Sequence, residues 1–244
     1  AATGTRSVLQ LRPSMLAARP HIEPRRVPGA DSVVVSEIYL SLQGESSHQG
    51  LLCSFVRLTG CHLRCRWCDS AFAFHGGTRM SVAEVVERVK ALGSPRVEVT
   101  GGEPLLQPGV YPLMEALLAE GLAVLLETSG AIDVRLVPPA VHKIVDVKCP
   151  GSGESDRNDW RCLESLTERD ELKFVLASRE DYDWAKACIT ERALDRGPAG
   201  LLFSTVHGEL SPTDLAEWII ADRLPVRFQL QQHKVLWPPD ARGV

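Results

Sequence analysis

From residue 32 onward, apolar runs of strand length alternate with stretches whose apolar positions recur at helical spacing. Runs at 33–42 (VVVSEIYLSL), 52–58 (LCSFVRL), 96–100, 122–128, 142–148, 171–177, 201–206 and 226–232 predict strands. SVAEVVERVKALG opens with Ser81 and carries Glu84 three residues on, a capping box, and Val82, Val85, Val86, Val89 and Leu92 share one helical face. Further helices are predicted at about 111–120 and 180–194, and one more opens with Ser211 as N-cap and Pro212 at the first helical position. Repeated β-α units with buried-looking strands imply an α/β protein, a parallel sheet with helices outside. About six such units are too few for a closed eight-stranded barrel. An incomplete, TIM-like β/α barrel and a doubly wound open sheet both remain. Either one places the functional loops at the carboxyl ends of the strands.

The first 31 residues do not fit that pattern. Residues 1–30 hold five Arg, four Pro and a single acid, Glu23, with no continuous apolar core of the kind a secretory signal needs. They read as a flexible extension, with an organellar transit segment or an upstream start ahead of Met15 as other readings, and 32–244 as the one folded domain. Within 244 residues, 44% are hydrophobic and 24% charged, and the net charge is −4, the balance of a soluble globular chain with no global attraction to nucleic acid or anionic membrane. No apolar run approaches the ~20 residues needed to span a bilayer. Seven cysteines, an odd number, argue against a secreted disulfide framework and for a reducing, cytoplasmic setting with metal or redox chemistry.

Three of those cysteines, Cys61, Cys65 and Cys68, fall in TGCHLRCRWCDS at spacing C-x3-C-x2-C. A closed zinc site would need a fourth ligand, His62 or His75. A [4Fe–4S] cluster held through three of its irons would leave the fourth open to a small molecule. Cys53, Cys149, Cys162 and Cys188 show no ligand spacing and read as small core residues.

The C-x3-C-x2-C spacing, with aromatic Trp67 just before the last cysteine, resembles the radical S-adenosylmethionine superfamily. The resemblance implies a partial barrel of the radical SAM type and a cluster on Cys61, Cys65 and Cys68. It also implies S-adenosylmethionine on the open iron, cleaved to a 5′-deoxyadenosyl radical. TGGEP after the strand ending at Thr100 is similar to that superfamily's GGEP motif, so Gly101, Gly102 and Glu103 are expected at the methionine amino group. Glu127, Ser129, Lys148 and Ser204 stand where superfamily members contact the rest of the cofactor, although each could equally be polar decoration of a strand end.

SLQGES (41–46), FVRLTGC (55–61), CDSAF after the cluster and the QHKVLW…RGV ending resemble the 7-carboxy-7-deazaguanine synthase family, from about residue 33 to the last. Such enzymes of queuosine and deazapurine biosynthesis convert 6-carboxy-5,6,7,8-tetrahydropterin to 7-carboxy-7-deazaguanine with loss of ammonia. The resemblance implies hydrogen abstraction at C6, ring contraction and return of the hydrogen. Arg57 offers a planar fork to the substrate carboxylate, and Gln43 and Glu45 an amide and an acceptor to the pterin edge. His233 and the terminal carboxylate on Val244 are expected to close the pocket. Mg2+ is expected on the hydroxyl of Ser70, where the family often has Thr. The family further implies a flavodoxin- or ferredoxin-like reductant and a homodimer. A glycyl-radical-activating enzyme, which shares the cysteine spacing but acts on a protein, and a non-catalytic zinc-binding module are the alternatives.

Overall fold

The computed structural model describes residues 20–197 and 199–244. A nine-stranded sheet organises them, in the order β3-β1-β2-β4-β5-β6-β7-β8-β9. The strands are β1 (Ser32–Leu42), β2 (Leu52–Leu58), β3 (Thr78–Ser81), β4 (Arg96–Gly101), β5 (Ala123–Thr128), β6 (His142–Val147), β7 (Glu171–Leu176), β8 (Gly200–Thr205) and β9 (Arg227–Gln229). The helices are α1 (Val82–Ala91), α2 (Val110–Ala119), α3 (Arg179–Glu191), α4 (Pro212–Asp222) and α5 (His233–Leu236). From β2 onward every pairing is parallel, and β1 joins as an antiparallel hairpin with β2.

The parallel strands never reverse their order, so the sheet has no topological switch point and the doubly wound alternative fails. The sheet curls. Residues 43–51, between β1 and β2, reach across to its far side: Ser46 N–H donates to Gln229 Oε1 on β9 at 3.1 Å, and Ser47 N–H to Glu171 Oε1 on β7 at 2.9 Å. Strands β1 and β9 are not laddered to each other, so this is a partial, TIM-like β/α barrel, floored by the 43–51 loop.

Alternation along the strands sets the two faces. Val97 and Val99 of β4, Val145 and Val147 of β6, and Leu172 and Phe174 of β7 pack outward in the apolar core under the helices. Glu98 and Thr100, Asp146, and Lys173 and Val175 on the same strands line the interior. Helix α1 has the capping box its sequence called for: Glu84 N–H donates to Ser81 Oγ at 3.2 Å, and Ser81 N–H to Glu84 Oε2 at 2.8 Å. Ser211 caps α4 with Pro212 in its first turn. On the outer face Phe174, Phe203, Tyr182 and Trp218 pack in succession at tilted and edge-on angles, with centroids 5.3, 6.1 and 5.4 Å apart.

Three features depart from the sequence pattern. β3 is an unanticipated edge strand of four residues, with Met80 alone buried. The predicted strand 226–232 stops at Gln229, because Gln232 N–H is drawn to Gly44 O at 2.9 Å and the chain turns into α5. The described part of the expected flexible extension, residues 20–31, is fastened down. Ile22 pairs with Ile132, Glu23 bridges Arg135 and Arg161 (both 2.8 Å), and Arg26 lies 5.4 Å from the Tyr111 ring centroid. Residues 1–19, including Met15, lie outside the described residues.

Candidate active site

The barrel interior opens at the carboxyl ends of the parallel strands into a cavity of about 230 Å3. The segment after β2, residues 59–70, forms one wall. It is pinned by backbone bonds in several directions: Gly60 N–H to Ala73 O (2.8 Å), Glu103 N–H to Gly60 O (2.8 Å), and Arg66 N–H to Ser152 O (3.0 Å). Arg64 N–H donates to Glu154 Oε1 at 2.7 Å, and Leu63, 1% exposed, anchors the loop in the core. This pinning brings Cys61, Cys65 and Cys68 to the cavity as half-buried free thiols. Burial raises all three, Cys65 to about 11, so metal loading must displace protons. Neither His62 nor His75 lines the cavity. The donor set is therefore three soft sulfurs facing open space, which fits an iron–sulfur cluster with one free position and not a closed zinc site. Cys53, Cys149, Cys162 and Cys188 are buried, as their sequence setting suggested.

The GGEP turn crosses directly behind the cysteine loop. A Cβ on Gly102 would lie 2.3 Å from Gly60 O and 2.8 Å from Cys61 Cβ, and one on Gly101, at φ +152°, would lie 2.3 Å from Leu58 O. Only glycine permits this approach. Both glycines line the cavity. Glu103 does not, contrary to the role its motif suggested. It is 1% exposed, and its carboxylate accepts from Leu105 N–H (2.9 Å), Thr128 Oγ1 (2.8 Å) and Ser129 N–H (2.7 Å). Glu103 thus ties the β4 turn to the end of β5 and holds Ser129, which does face the cavity.

Glu127 and Lys148 also line the cavity, Glu127 within 3.4 Å of Thr100 Oγ1. Burial works against the Lys148 ammonium, but Asp146 at 3.0 Å outweighs it and raises its pKa. Ser204 is 1% exposed, its hydroxyl has no partner among the described residues, and it stands outside the cavity wall.

Gln43, Glu45, Arg57, Ser70, His233 and Val244 all line the cavity, though far apart in sequence. Arg57 is held as a cation against burial by Tyr39 and Glu37. Its Nε donates to Glu37 (2.8 Å), Nη1 to Ser70 Oγ (3.2 Å) and Nη2 to Tyr39 Oη (3.0 Å), which leaves two of its five N–H groups spare. Ser70 Oγ donates in turn to Asp69 Oδ1 at 3.0 Å, and Asp69 Oδ2 pairs with Lys234 Nζ at 2.9 Å. Gln43 and Glu45 are more committed than the sequence implied. Gln43 Oε1 accepts from Glu45 N–H at 2.6 Å and its Nε2 donates to Glu98. Glu45 accepts from Lys173 Nζ (2.5 Å) and Gln231 Nε2 (2.8 Å). Gly44 lets His233 approach: a Cβ there would lie 2.5 Å from Nδ1.

The sequence reading missed Glu98, Asp146 and Lys173, charges at alternate positions of otherwise apolar strands and now the polar floor of the barrel. It also missed Tyr39, Glu37 and Phe72, which surround Arg57, and Arg242, whose guanidinium lies 3.9 Å from the Phe72 centroid and draws the last residues over the mouth. The signal was available for the strand charges, since a buried parallel strand has no solvent face to explain them.

Residues 55–146 match the Radical SAM superfamily. A 7-carboxy-7-deazaguanine synthase of Chlorobaculum tepidum is 49% identical over 216 residues, 86% of this chain and 96% of its own. That of Koribacter versatilis is 46% identical over 224 residues, 86% of this chain and 99% of its own. Among solved structures, QueE from Escherichia coli shares the fold, with TM-score 0.70 at 23% identity, covering 83% of this chain and 95% of that one. With near-complete coverage of such relatives and three cysteines on a partial barrel's cavity, the chain belongs to the 7-carboxy-7-deazaguanine synthase family of radical SAM enzymes.

Proposed function

We propose that the chain converts 6-carboxy-5,6,7,8-tetrahydropterin to 7-carboxy-7-deazaguanine with loss of ammonia. One observation carries this: three thiols without a fourth protein ligand open onto a cavity whose other walls are polar and charged. When bound, a [4Fe–4S] cluster and S-adenosylmethionine supply the one-electron chemistry that removes the hydrogen at C6.

The chain's own residues hold and orient. Cys61, Cys65 and Cys68 ligate the cluster. Gly101 and Gly102 expose backbone to the cofactor's methionine part at a distance no side chain would permit, with Glu103 fixing Ser129 beside them. Glu127 and Ser129 serve the ribose and Lys148 a carboxylate. The two spare N–H groups of Arg57 take the substrate carboxylate, and Glu37 and Tyr39 keep the fork in one orientation. His233 and the segment ending at Val244 close over the substrate, which excludes water and confines a reactive centre. Gln43 and Glu45 shape the floor. Ser70, with Asp69 adjacent, would hold a Mg2+ ion, which would supply positive charge beside the substrate.

A flavodoxin- or ferredoxin-like donor supplies electrons, and the enzyme works in the cytoplasm. Exposed Leu40, Leu51 and Leu52 on the β1–β2 hairpin support pairing with a second copy. No described helix is long and apolar enough to cross a membrane.

The test is an anaerobic incubation of reconstituted protein with the tetrahydropterin, S-adenosylmethionine, Mg2+ and a reductant, with products read by mass. The deazaguanine carboxylate is the expected product. 5′-Deoxyadenosine without it would discard the substrate and favour an enzyme that activates a glycyl-radical protein.

A further inference from the structure

The acids on the cavity floor are of two kinds. Glu45 and Glu127 both bond the Lys173 ammonium, so each has a cation. Glu98, on β4, is 2% exposed, lines the same cavity and has no ion pair among the described residues. Its Oε2 accepts from Gln43 Nε2. Its Oε1 has no hydrogen-bond partner among the described residues, and Glu98 lines the cavity.

The groups around Glu98 decide its charge. Lys173 on β7 is already committed to Glu45 and Glu127, and the Arg57 fork on β2 is turned to Glu37, Ser70 and Tyr39. Tyr39 on β1 and Cys53 on β2 face Glu98 as neutral groups, both raised chiefly by burial, Tyr39 to about 12. Burial first, then the Glu127 and Glu45 carboxylates, push Glu98 well above the usual carboxylate range, and Lys173 and Arg57 do not reverse this. A carboxyl group that keeps its proton is both donor and acceptor. The polar edge of a pterin presents a ring carbonyl beside a ring N–H, the complementary pair. Gln43 and Glu45, by contrast, already spend hydrogen bonds within the protein.

We propose that Glu98 acts as a neutral carboxylic acid on the cavity floor, donating a hydrogen bond through Oε1 to the pterin's polar edge and setting the preference for an oxo-bearing heterocycle. This rests on the pterin reading of the site. Gln43 is the positioning residue that holds Glu98 through Oε2.

The experiment measures 6-carboxy-5,6,7,8-tetrahydropterin binding by calorimetry, in anaerobic holoenzyme with S-adenosylmethionine, from neutral to alkaline pH. Wild type, Glu98→Gln and Glu98→Leu are compared, with cluster absorbance and melting as fold controls. Binding that needs the neutral acid is full below its raised pKa and is lost as pH rises through it. Glu98→Gln keeps a donor and an acceptor, so affinity should stay within about threefold and that alkaline component should vanish. Glu98→Leu should lose about tenfold or more, roughly 1.4 kcal/mol. Glu98→Gln as weak as Glu98→Leu would mean an ionised carboxylate and overturn the proposal. So would wild-type affinity in Glu98→Leu, or the same alkaline loss in Glu98→Gln. Should Glu98→Leu not fold, the near-isosteric Gln variant and the wild-type pH profile decide alone. A wild-type holoenzyme that binds S-adenosylmethionine but no pterin would overturn the functional reading, and this inference with it.

Discussion

Lys173→Met removes the ammonium that Glu45 and Glu127 share on the barrel floor. The Lys173 side chain is 5% exposed and Glu45 13%, so water offers little substitute. Burial alone would raise Glu45, yet the charge of Lys173 first, then that of His233 and the hydrogen bonds from Lys173 and Gln231, override it and bring the carboxyl down from 4.5 to about 2. At ~1.4 kcal/mol per pH unit, that difference is worth roughly 3 kcal/mol. Removing one partner of a buried pair costs a similar ~3–5 kcal/mol. Because Glu45 is depressed in the folded state, its contribution is present above its unfolded value and is lost as pH falls through the folded one. In Lys173→Met the deficit should therefore be largest near neutrality and shrink as pH falls from about 4.5 toward about 2, where Glu45 is protonated in folded and unfolded chains alike. Urea unfolding of the cluster-free protein, followed by circular dichroism from neutral pH down to about 3, measures it. A loss under ~1 kcal/mol, or one that does not change with pH, would refute the reasoning, because the pair would then be energetically a surface pair.

Three further predictions follow from the close contacts of the site. Gly102→Ala puts a methyl group 2.3 Å from Gly60 O, and backbone cannot yield cheaply, so iron and sulfide content after reconstitution and S-adenosylmethionine affinity should both fall, the latter by about tenfold or more. Gly44→Ala forces the His233 ring away from a position 2.5 Å from the new carbon; steady-state kinetics should show KM for the pterin rising several-fold with kcat changed less. Ser70→Ala removes the hydroxyl between Arg57 and Asp69, so the Mg2+ concentration for half-maximal activity should rise about tenfold while iron content holds.

Local chemistry was legible where a few neighbouring residues determine the outcome. The Ser81–Glu84 box and the Ser211–Pro212 start fix helices through contacts within one turn. The cysteine spacing marked its loop because three thiols within eight positions have few structural uses. The strand alternation announced a parallel sheet, but barrel and open sheet differ only in long-range order, which periodicity does not carry. Glu103 shows a motif whose position was readable and whose contact was not: its oxygens are claimed by Thr128 and Ser129, twenty-five and twenty-six residues away. Lys173 and Glu45, 128 positions apart, form a pair only because the barrel closes. The last strand misled for the same reason, since Gln232 leaves its strand pattern to meet Gly44 across the barrel floor. The short β3 has a single buried apolar residue, Met80, too little for a pattern.

The most direct test of the central claim uses tetrahydropterin deuterated at C6, with the reconstituted enzyme, S-adenosylmethionine, Mg2+ and reductant under anaerobic conditions. Product and recovered S-adenosylmethionine are both analysed by mass. Deuterium appearing in S-adenosylmethionine alongside 7-carboxy-7-deazaguanine is the predicted result, with a cofactor that is regenerated and not consumed. Deazaguanine product with no deuterium in S-adenosylmethionine, or cofactor cleavage with no deazaguanine at all, would contradict the account.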